Sequence, residues 1–157
     1  FNALKDKNLG MITPSTFDEN SNRQHIIKSY PNILIFLLRV LNISFINKIF
    51  KKQIDKYENK SINYKKENKD IIFTSGCFMF YKSSIFKKLN GFNEKFFLYF
   101  EDMDLSYRTS KISNIIYKPD VIITHYGGNA SRKGFKHWVY FISSMINFFN
   151  IYGWKFY

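Results

Sequence analysis

Residues that cross-link or interrupt a fold are scarce in this chain. Its 157 residues include one cysteine, three prolines and seven glycines. The single cysteine, Cys77, excludes an internal disulfide and indicates a reducing compartment. The longest apolar run, residues 33 to 38, ends at Arg39. A helix that spans a bilayer needs roughly 18 apolar residues, so we expect a chain that does not cross a membrane.

Acidic residues are also few compared with basic ones. The chain has 12 Asp and Glu against 24 Lys and Arg, which gives a formal net charge of +12. Such an excess indicates an anionic partner, which could be nucleic acid, anionic lipid or a phosphorylated ligand. Lys, Asn and Ile are all abundant together, however, and an AT-rich genome would produce the same composition.

Aromatic residues are plentiful, with 18 Phe among them, and the length suits one domain with a substantial core. Strand-like and helical patterns alternate along the chain, which predicts an α/β fold. Residues 51 to 69, rich in Lys, Glu and Asn, are predicted to form a mobile loop or a solvated helix extension. We expect strands at 9–13, at 70–81 with an interruption at Ser75-Gly76, and at 115–124. Helices are expected at 32–50 with a break near Ile43-Ser44, at 83–89, at 101–111 and at 135–152.

The most informative stretch is FFLYFEDMDLSYR, residues 96 to 108. Its acidic pair, Glu101 and Asp102, directly follows a run of aromatics. A carboxylate held against apolar side chains tends to have a raised pKa, which suits it to take a proton near neutral pH. A purely structural interpretation is also available. Acidic residues are favoured in a first helical turn, and Asp104 with Arg108 forms an i,i+4 pair typical of any helix surface.

Three further motifs accompany the acidic pair. In chain order the four are Gly76-Cys77-Phe78-Met79, Asn90-Gly91-Phe92-Asn93-Glu94, Phe100-Glu101-Asp102-Met103-Asp104-Leu105 and Ile122-Ile123-Thr124-His125. This order resembles the acceptor-side half of a family-two glycosyltransferase of the bacterial rhamnosyltransferase-like kind, over roughly residues 9 to 135. The resemblance implies the second half of a GT-A-type mixed-sheet domain with flanking helices. The family's Asp-x-Asp metal motif lies in the nucleotide-binding half. No such motif precedes Phe97, so we expect that N-terminal half to be missing here.

The resemblance also implies roles for individual residues. Asp102 matches the position of the family's catalytic base, and Glu101 would orient the acceptor beside it. Gly76 and Cys77 lie where the family's strand passes under the sugar site. Gly76 would allow a close approach to the backbone, whereas Cys77 has no base-like neighbour except Lys82 and is expected to be a small packing residue rather than a nucleophile.

Two downstream features could contact the diphosphate of a donor. His125 ends an apolar strand and could be a ligand for a divalent cation, Mg²⁺ or Mn²⁺, with the other ligands coming from the absent half. A polar strand terminus is the simpler interpretation. Arg132 and Lys133 lie in a Gly-containing loop that could close over a diphosphate, although a solvated basic turn would have the same composition.

Residues 135 to 157 are predicted to form a C-terminal amphipathic helix with a basic cluster at its start. This helix could lie in a membrane interface near anionic headgroups, or it could pack on the sheet or on a partner subunit. The first possibility would suit an enzyme whose acceptor is carried on a lipid.

Together these features predict a nucleotide-sugar-dependent glycosyltransferase of cell-envelope polysaccharide biosynthesis. It would transfer a sugar with inversion to a cell-surface glycan or lipid-linked acceptor, in the cytoplasm or at the inner face of the plasma membrane. As a fragment it would be inactive alone. Two alternatives remain. One is a non-catalytic membrane-surface or assembly module. The other, a basic nucleic-acid-binding module, is disfavoured because the chain has no zinc-finger spacing and no RNA-binding signature, so we expect no nucleic-acid partner.

Overall fold

A computed structural model describes residues 6–41, 43–127 and 134–156, without the side chains of residues 39 and 40. The described residues form a mixed α/β fold of six strands and six helices. The strands are β1 (Leu9–Phe17), β2 (Arg23–Gln24), β3 (Ile27–Lys28), β4 (Phe73–Thr74), β5 (Phe80–Tyr81) and β6 (Asn114–Thr124). The helices are α1 (Ile33–Leu41), α2 (Ser44–Ile49), α3 (Lys51–Tyr57), α4 (Ser83–Lys88), α5 (Glu101–Ser110) and α6 (Phe135–Tyr152).

Strand β1 is the centre of the main sheet. It pairs in parallel with β6 along its whole length, from Leu9 opposite Asn114 to Phe17 opposite Thr124. Strands β5 and β2 both pair with β1 in the antiparallel sense, β5 with its first half and β2 with its end. Because β6 occupies one edge of β1, β5 and β2 share the other. The sheet is therefore mixed, as expected, and its parallel pair ends beside the β1–β2 hairpin.

The central strand is longer than the sequence predicts, since it continues through Pro14 to Phe17. The register explains how a proline is tolerated there. Pro14 pairs with Lys118, but the next residue of β1 pairs with Ile122, so β6 carries an irregularity that contains Pro119. Proline has no N–H to give to a sheet ladder and is accommodated at such bulges.

The strand predicted at 70–81 is interrupted at Ser75-Gly76, as expected, but the interruption separates two strands of different sheets instead of marking a bulge in one strand. It is divided into β4, which pairs with β3 in a separate two-stranded sheet, and β5, which pairs with β1. The two strands are separated by a turn at residues 75–79 that contains Gly76. The backbone amide of Gly76 donates to a side chain rather than to a neighbouring strand, and this ends the ladder.

The segment at 51–69 begins with helix α3, in agreement with the helix-extension alternative. It is anchored by two buried tyrosines, Tyr57 and Tyr64. The Tyr64 ring packs edge-on against Tyr117 of β6, and the Tyr117 hydroxyl donates to the Tyr64 carbonyl at 3.0 Å. Isolated tyrosines among lysines give no periodic signal, which is why the sequence did not identify these anchors.

The largest core cluster is aromatic and lies where α1, α5 and α6 meet. Phe36, Phe100 and Phe148 are each almost fully buried there. Helix α6 has the bounds expected from the sequence. One side of its apolar stripe packs into this cluster, as the packing alternative predicts, whereas Val139, Ile142 and Ile146 are exposed. Among the described residues no helix is both long and apolar enough to cross a membrane.

Candidate functional site

The acidic pair lies at the first turn of α5, directly after two residues in the left-handed region. Tyr99 and Phe100 have φ angles of 68° and 65°. Non-glycine residues in this region are strained by about 1–3 kcal/mol each and persist only where the surroundings fix them. Here the buried Phe100 ring packs on Phe36 with ring centres 4.9 Å apart. The strained turn places Glu101 and Asp102 at the amino end of the helix, where its dipole favours negative charge.

Asp102 is held by two backbone amides. The amide of Gly76 donates to Oδ2 at 2.7 Å, and the amide of Met103 donates to Oδ1 at 2.8 Å. Such donors favour the ionised carboxylate, which is the form that accepts a proton. A Cβ at position 76 would lie 3.0 Å from the Asp102 Cβ. The close approach predicted at Gly76 is therefore an approach of Asp102 itself.

Glu101 has a different environment from its neighbour. Its side chain is half-buried, and Oε2 has no hydrogen-bond partner among the described residues. Burial raises the pKa of the Glu101 carboxyl, and the charge of Asp102 adds to this, against a lowering contribution from its own backbone amide. The pKa increase that the aromatic surroundings suggest therefore falls on Glu101. The two carboxyls are consequently distinct, one hydrogen-bonded and one poorly solvated.

Cys77 lies beside this pair. Burial raises the pKa of its thiol, hydrogen bonds involving Ser75 and Thr16 oppose that rise, and the charge of Asp102 reinforces it. The thiol is thus the neutral form near pH 7, which agrees with a packing or contact role and not with a nucleophile.

A buried network of hydroxyls lies beneath Asp102 and was not identified from the sequence. Ser106 Oγ donates to the Asp102 carbonyl at 2.7 Å and lies 3.3 Å from the Thr74 carbonyl. The Thr74 hydroxyl in turn lies 2.8 Å from the Thr13 hydroxyl on β1. The network joins β1, β4 and α5. Its sequence signal would have been small hydroxyl residues at positions that otherwise read as apolar core.

His125 lies at the end of β6 and is oriented by Gln24 of β2, a residue that the sequence did not single out. Gln24 Nε2 donates to the His125 carbonyl at 3.0 Å, and Gln24 Oε1 lies 2.9 Å from His125 Nδ1. The amide can satisfy both contacts only in this orientation, since a flipped amide would place two acceptors together. Nδ1 therefore carries the proton, and Nε2 keeps its lone pair. A Cβ at Gly127 would lie 2.7 Å from Nε2, so the backbone there passes close to the ring.

Of the predicted site residues, the structure brings Asp102, Glu101, Gly76 and Cys77 together. His125 lies at the same end of β1 as these four residues. Its partner Gln24 pairs with Thr16 of β1. Arg132 and Lys133 lie outside the described residues. Within the described ranges no three His, Cys, Asp or Glu side chains are grouped to hold a metal ion.

Asp104 and Arg108 form a structural clamp, as their spacing suggested. Asp104 is completely buried and pairs with Arg108 Nη2 at 2.6 Å, and it also accepts from the Tyr152 hydroxyl at 2.5 Å. Arg108 donates to the carbonyls of Leu89 and Gly91 at 2.7 and 2.8 Å. The clamp ties α5 to α6 and to the turn after α4, which fixes the helix that carries the acidic pair.

No family model, no curated protein and no solved structure matches the chain.

Proposed function

We propose that the protein is the acceptor-side part of a glycosyltransferase that moves a sugar, with inversion, from a nucleotide-sugar donor to a glycan or lipid-linked acceptor. One observation carries the proposal above the others. A partly exposed carboxylate, Asp102, is fixed by two backbone amides at the start of α5 and directly adjoins the glycine of the GCFM motif. A GT-A-type arrangement, with this mixed sheet as its second half, is part of the proposal.

Asp102 would act as the general base. Its carboxylate accepts the proton of the acceptor hydroxyl as that oxygen forms a bond to the anomeric carbon of the donor. The bond from the anomeric carbon to the diphosphate oxygen breaks at the same time, and its electron pair leaves with the nucleoside diphosphate. The amides of Gly76 and Met103 keep the carboxylate in place.

Glu101 would orient the acceptor. Its Oε2 is without a partner and its pKa is raised by burial, so a substrate hydroxyl could satisfy it at little cost in desolvation. Cys77 would present a small neutral surface to the sugar, since its thiol is not ionised. Gly76 would allow the sugar to approach the backbone closely, because it has no side chain.

The diphosphate end of the site would lie toward His125. The free lone pair on Nε2 fits one ligand position of a divalent cation, with Gln24 orienting the ring from behind as metal-bound histidines require. When bound, such a cation would neutralise the departing diphosphate. No three potential ligand side chains are grouped within the described ranges, so further ligands would come from outside them. Arg132 and Lys133 are proposed to contact the same phosphates.

The proposal is tested by assaying the complete protein with a panel of nucleotide sugars and with lipid-linked acceptors. We expect one donor to yield a glycosylated acceptor and free nucleoside diphosphate in equal amounts, with inverted anomeric configuration by NMR. Retention of configuration would contradict the role of Asp102 as a base. Absence of transfer from every donor, with all acceptor classes present, would contradict the proposed activity.

A further inference from the structure

Charge is strongly segregated along this chain. Its twelve acidic residues all lie outside two long segments, residues 20–54 and 121–157. Both segments nevertheless contain basic residues, among them Lys48, Lys52 and Lys136. The first segment supplies α1, α2 and the first turn of α3, and the second supplies α6. Helices α1, α2 and α6 therefore carry positive charge and no carboxylates of their own, whereas Asp55 follows in the second turn of α3.

The two segments come together in the fold. The amide of Ile33, at the start of α1, donates to the Lys155 carbonyl just beyond α6 at 2.9 Å. Less than one turn later, the Phe36 ring contacts both Phe149 and Phe141, at centre distances of 6.0 and 5.7 Å. The start of α1 therefore packs against α6. Ile46 of α2 packs against the same aromatic cluster as Phe141, so α1, α2 and α6 border one region of the fold.

The end of α1, helix α2 and the amino-terminal half of α6 expose a large number of apolar side chains. Helix α2 has no buried residue, and its Phe45 and Ile49 are 72% and 61% exposed. On α6, Phe135 is 82% exposed and lines an open apolar groove of ≈ 460 Å³. The remaining members of the exposed set are Leu37, Leu41, Ile43, Val139 and Ile142. Exposed apolar surface of this extent marks a site of interaction.

Exposed lysines alternate with the apolar side chains of α2 and α3. Phe45, Lys48, Ile49 and Lys52 occupy positions i, i+3, i+4 and i+7, so they share one side of a nearly continuous helix. Lys48 and Lys52 are both exposed. Lysine is depleted at protein–protein interfaces. At a bilayer surface, by contrast, apolar side chains enter the interface while the ammonium groups reach the lipid phosphates.

We propose that this face, formed by α2, the end of α1 and the amino-terminal half of α6, docks onto an anionic phospholipid surface. The helices would lie in the interface with Phe45, Ile49 and Phe135 inserted, and Lys48 and Lys52 would contact the headgroup phosphates. The inference rests on exposure and charge, not on the acidic pair of α5, so it stands or fails independently of the proposed transferase activity.

Co-sedimentation with vesicles tests the proposal. The full chain is mixed with vesicles of phosphatidylcholine alone or of equimolar phosphatidylglycerol and phosphatidylcholine. We expect binding to the anionic vesicles and at least several-fold weaker binding to the neutral ones. Phe45→Ser with Ile49→Ser should weaken binding on the order of tenfold, since it removes the inserted apolar area. Ile122→Ser is the matched control, because Ile122 is 67% exposed on β6 and belongs to none of the helices that form the proposed face.

A second pair of variants separates local from overall charge. Lys48→Gln with Lys52→Gln should weaken anionic binding on the order of tenfold, since each lysine at an anionic surface contributes several-fold. Lys87→Gln with Lys88→Gln lowers the net charge equally at exposed positions of α4 and should weaken it much less. Equal losses in the two lysine pairs, or wild-type binding by the Phe45 and Ile49 variant, would overturn the proposal. The proposal would also be overturned if the wild type bound no vesicles but formed a dimer in sedimentation velocity, and if Phe45→Ser with Ile49→Ser abolished that dimer.

Discussion

The backbone amide of Gly76 donates a 2.7 Å hydrogen bond to the carboxylate of Asp102, and the two residues are so close that a Cβ on Gly76 would lie 3.0 Å from the Asp102 Cβ. The contact joins two motifs that lie far apart in the chain. The contact explains a glycine at this position without any ligand, because a side chain there would crowd the Asp102 Cβ unless one of the two residues moved by a few tenths of an ångström.

Gly76→Ala should destabilise the fold by about 1–3 kcal/mol, because the new methyl group overpacks against the Asp102 Cβ. The free energy of unfolding in urea measures the effect. The same substitution should cost as much in an Asp102→Ala background, where the Cβ remains, and clearly less in an Asp102→Gly background. Equal costs in all three backgrounds would show that the Cβ contact is not the cause.

Glu101→Gln should change how stability depends on pH. The folded state raises the pKa of Glu101 above its usual value of 4.5, so between 4.5 and the raised value the folded state binds more protons than the unfolded state. Stability contributed by this group is therefore present at low pH and is lost as pH rises through that window. Glu101→Gln removes the loss. Its free energy of unfolding, relative to wild type, should increase from about pH 4 to about pH 7.

The matched control for this experiment is Glu94→Gln, which removes an exposed carboxylate from the neighbouring turn. Urea unfolding of the wild type and both variants at the two pH values gives the comparison. A pH-dependent gain of the same size in both variants would mean that burial of Glu101 is not responsible.

Asp104→Asn should destabilise the protein by about 3 kcal/mol, because it removes the charge from a buried pair with Arg108 and leaves the guanidinium without its counter-ion. Asp120→Asn, at an exposed position of β6, should stay within about 0.5 kcal/mol of wild type. Urea unfolding checks both. If the Asp104 variant were as stable as the Asp120 variant, the clamp between α5, α6 and the turn after α4 would have no energetic role.

His125 should be the tautomer with its proton on Nδ1, because Gln24 Oε1 can only accept a hydrogen bond. Long-range ¹⁵N correlation spectra of the imidazole distinguish the protonated nitrogen from the other in the neutral ring. Gln24→Ala should shift the population toward the Nε2-protonated tautomer, whereas Gln53→Ala, at an exposed position of α3, should leave it unchanged. A wild-type ring protonated on Nε2 would remove the basis for assigning a metal-ligand role.

Local sequence patterns predicted the elements that depend mainly on residues close together in the chain. Helix α6, helix α5 and the break between α1 and α2 follow from apolar spacing and from capping tendencies in a few neighbouring residues. The interruption of the strand at 70–81 was expected from Ser75-Gly76, but its division between two sheets was not. That division depends on contacts with residues far along the chain, among them the hydrogen bond from the Gly76 amide to Asp102, and no periodicity within the strand could reveal them.

The candidate site was predictable only in part, for a similar reason. The sequence identified the acidic pair but could not tell which carboxyl would be buried, and burial decides that the pKa increase belongs to Glu101. Gln24 was overlooked because it lies in a polar, turn-rich stretch and acquires its role only when β2 pairs with the end of β1. The contacts that define the site are tertiary, whereas the motifs that suggested it are local.

The most direct test of the central claim is the turnover number of Asp102→Asn in the complete protein, with donor affinity measured in parallel. The amide keeps the shape of the side chain but cannot accept the proton, so we expect turnover to fall by about 10²–10⁴-fold while donor binding is largely kept. Glu94→Gln should retain wild-type turnover. Turnover within a few-fold of wild type in the Asp102 variant would contradict the assignment of Asp102 as the base, and with it the proposed mechanism.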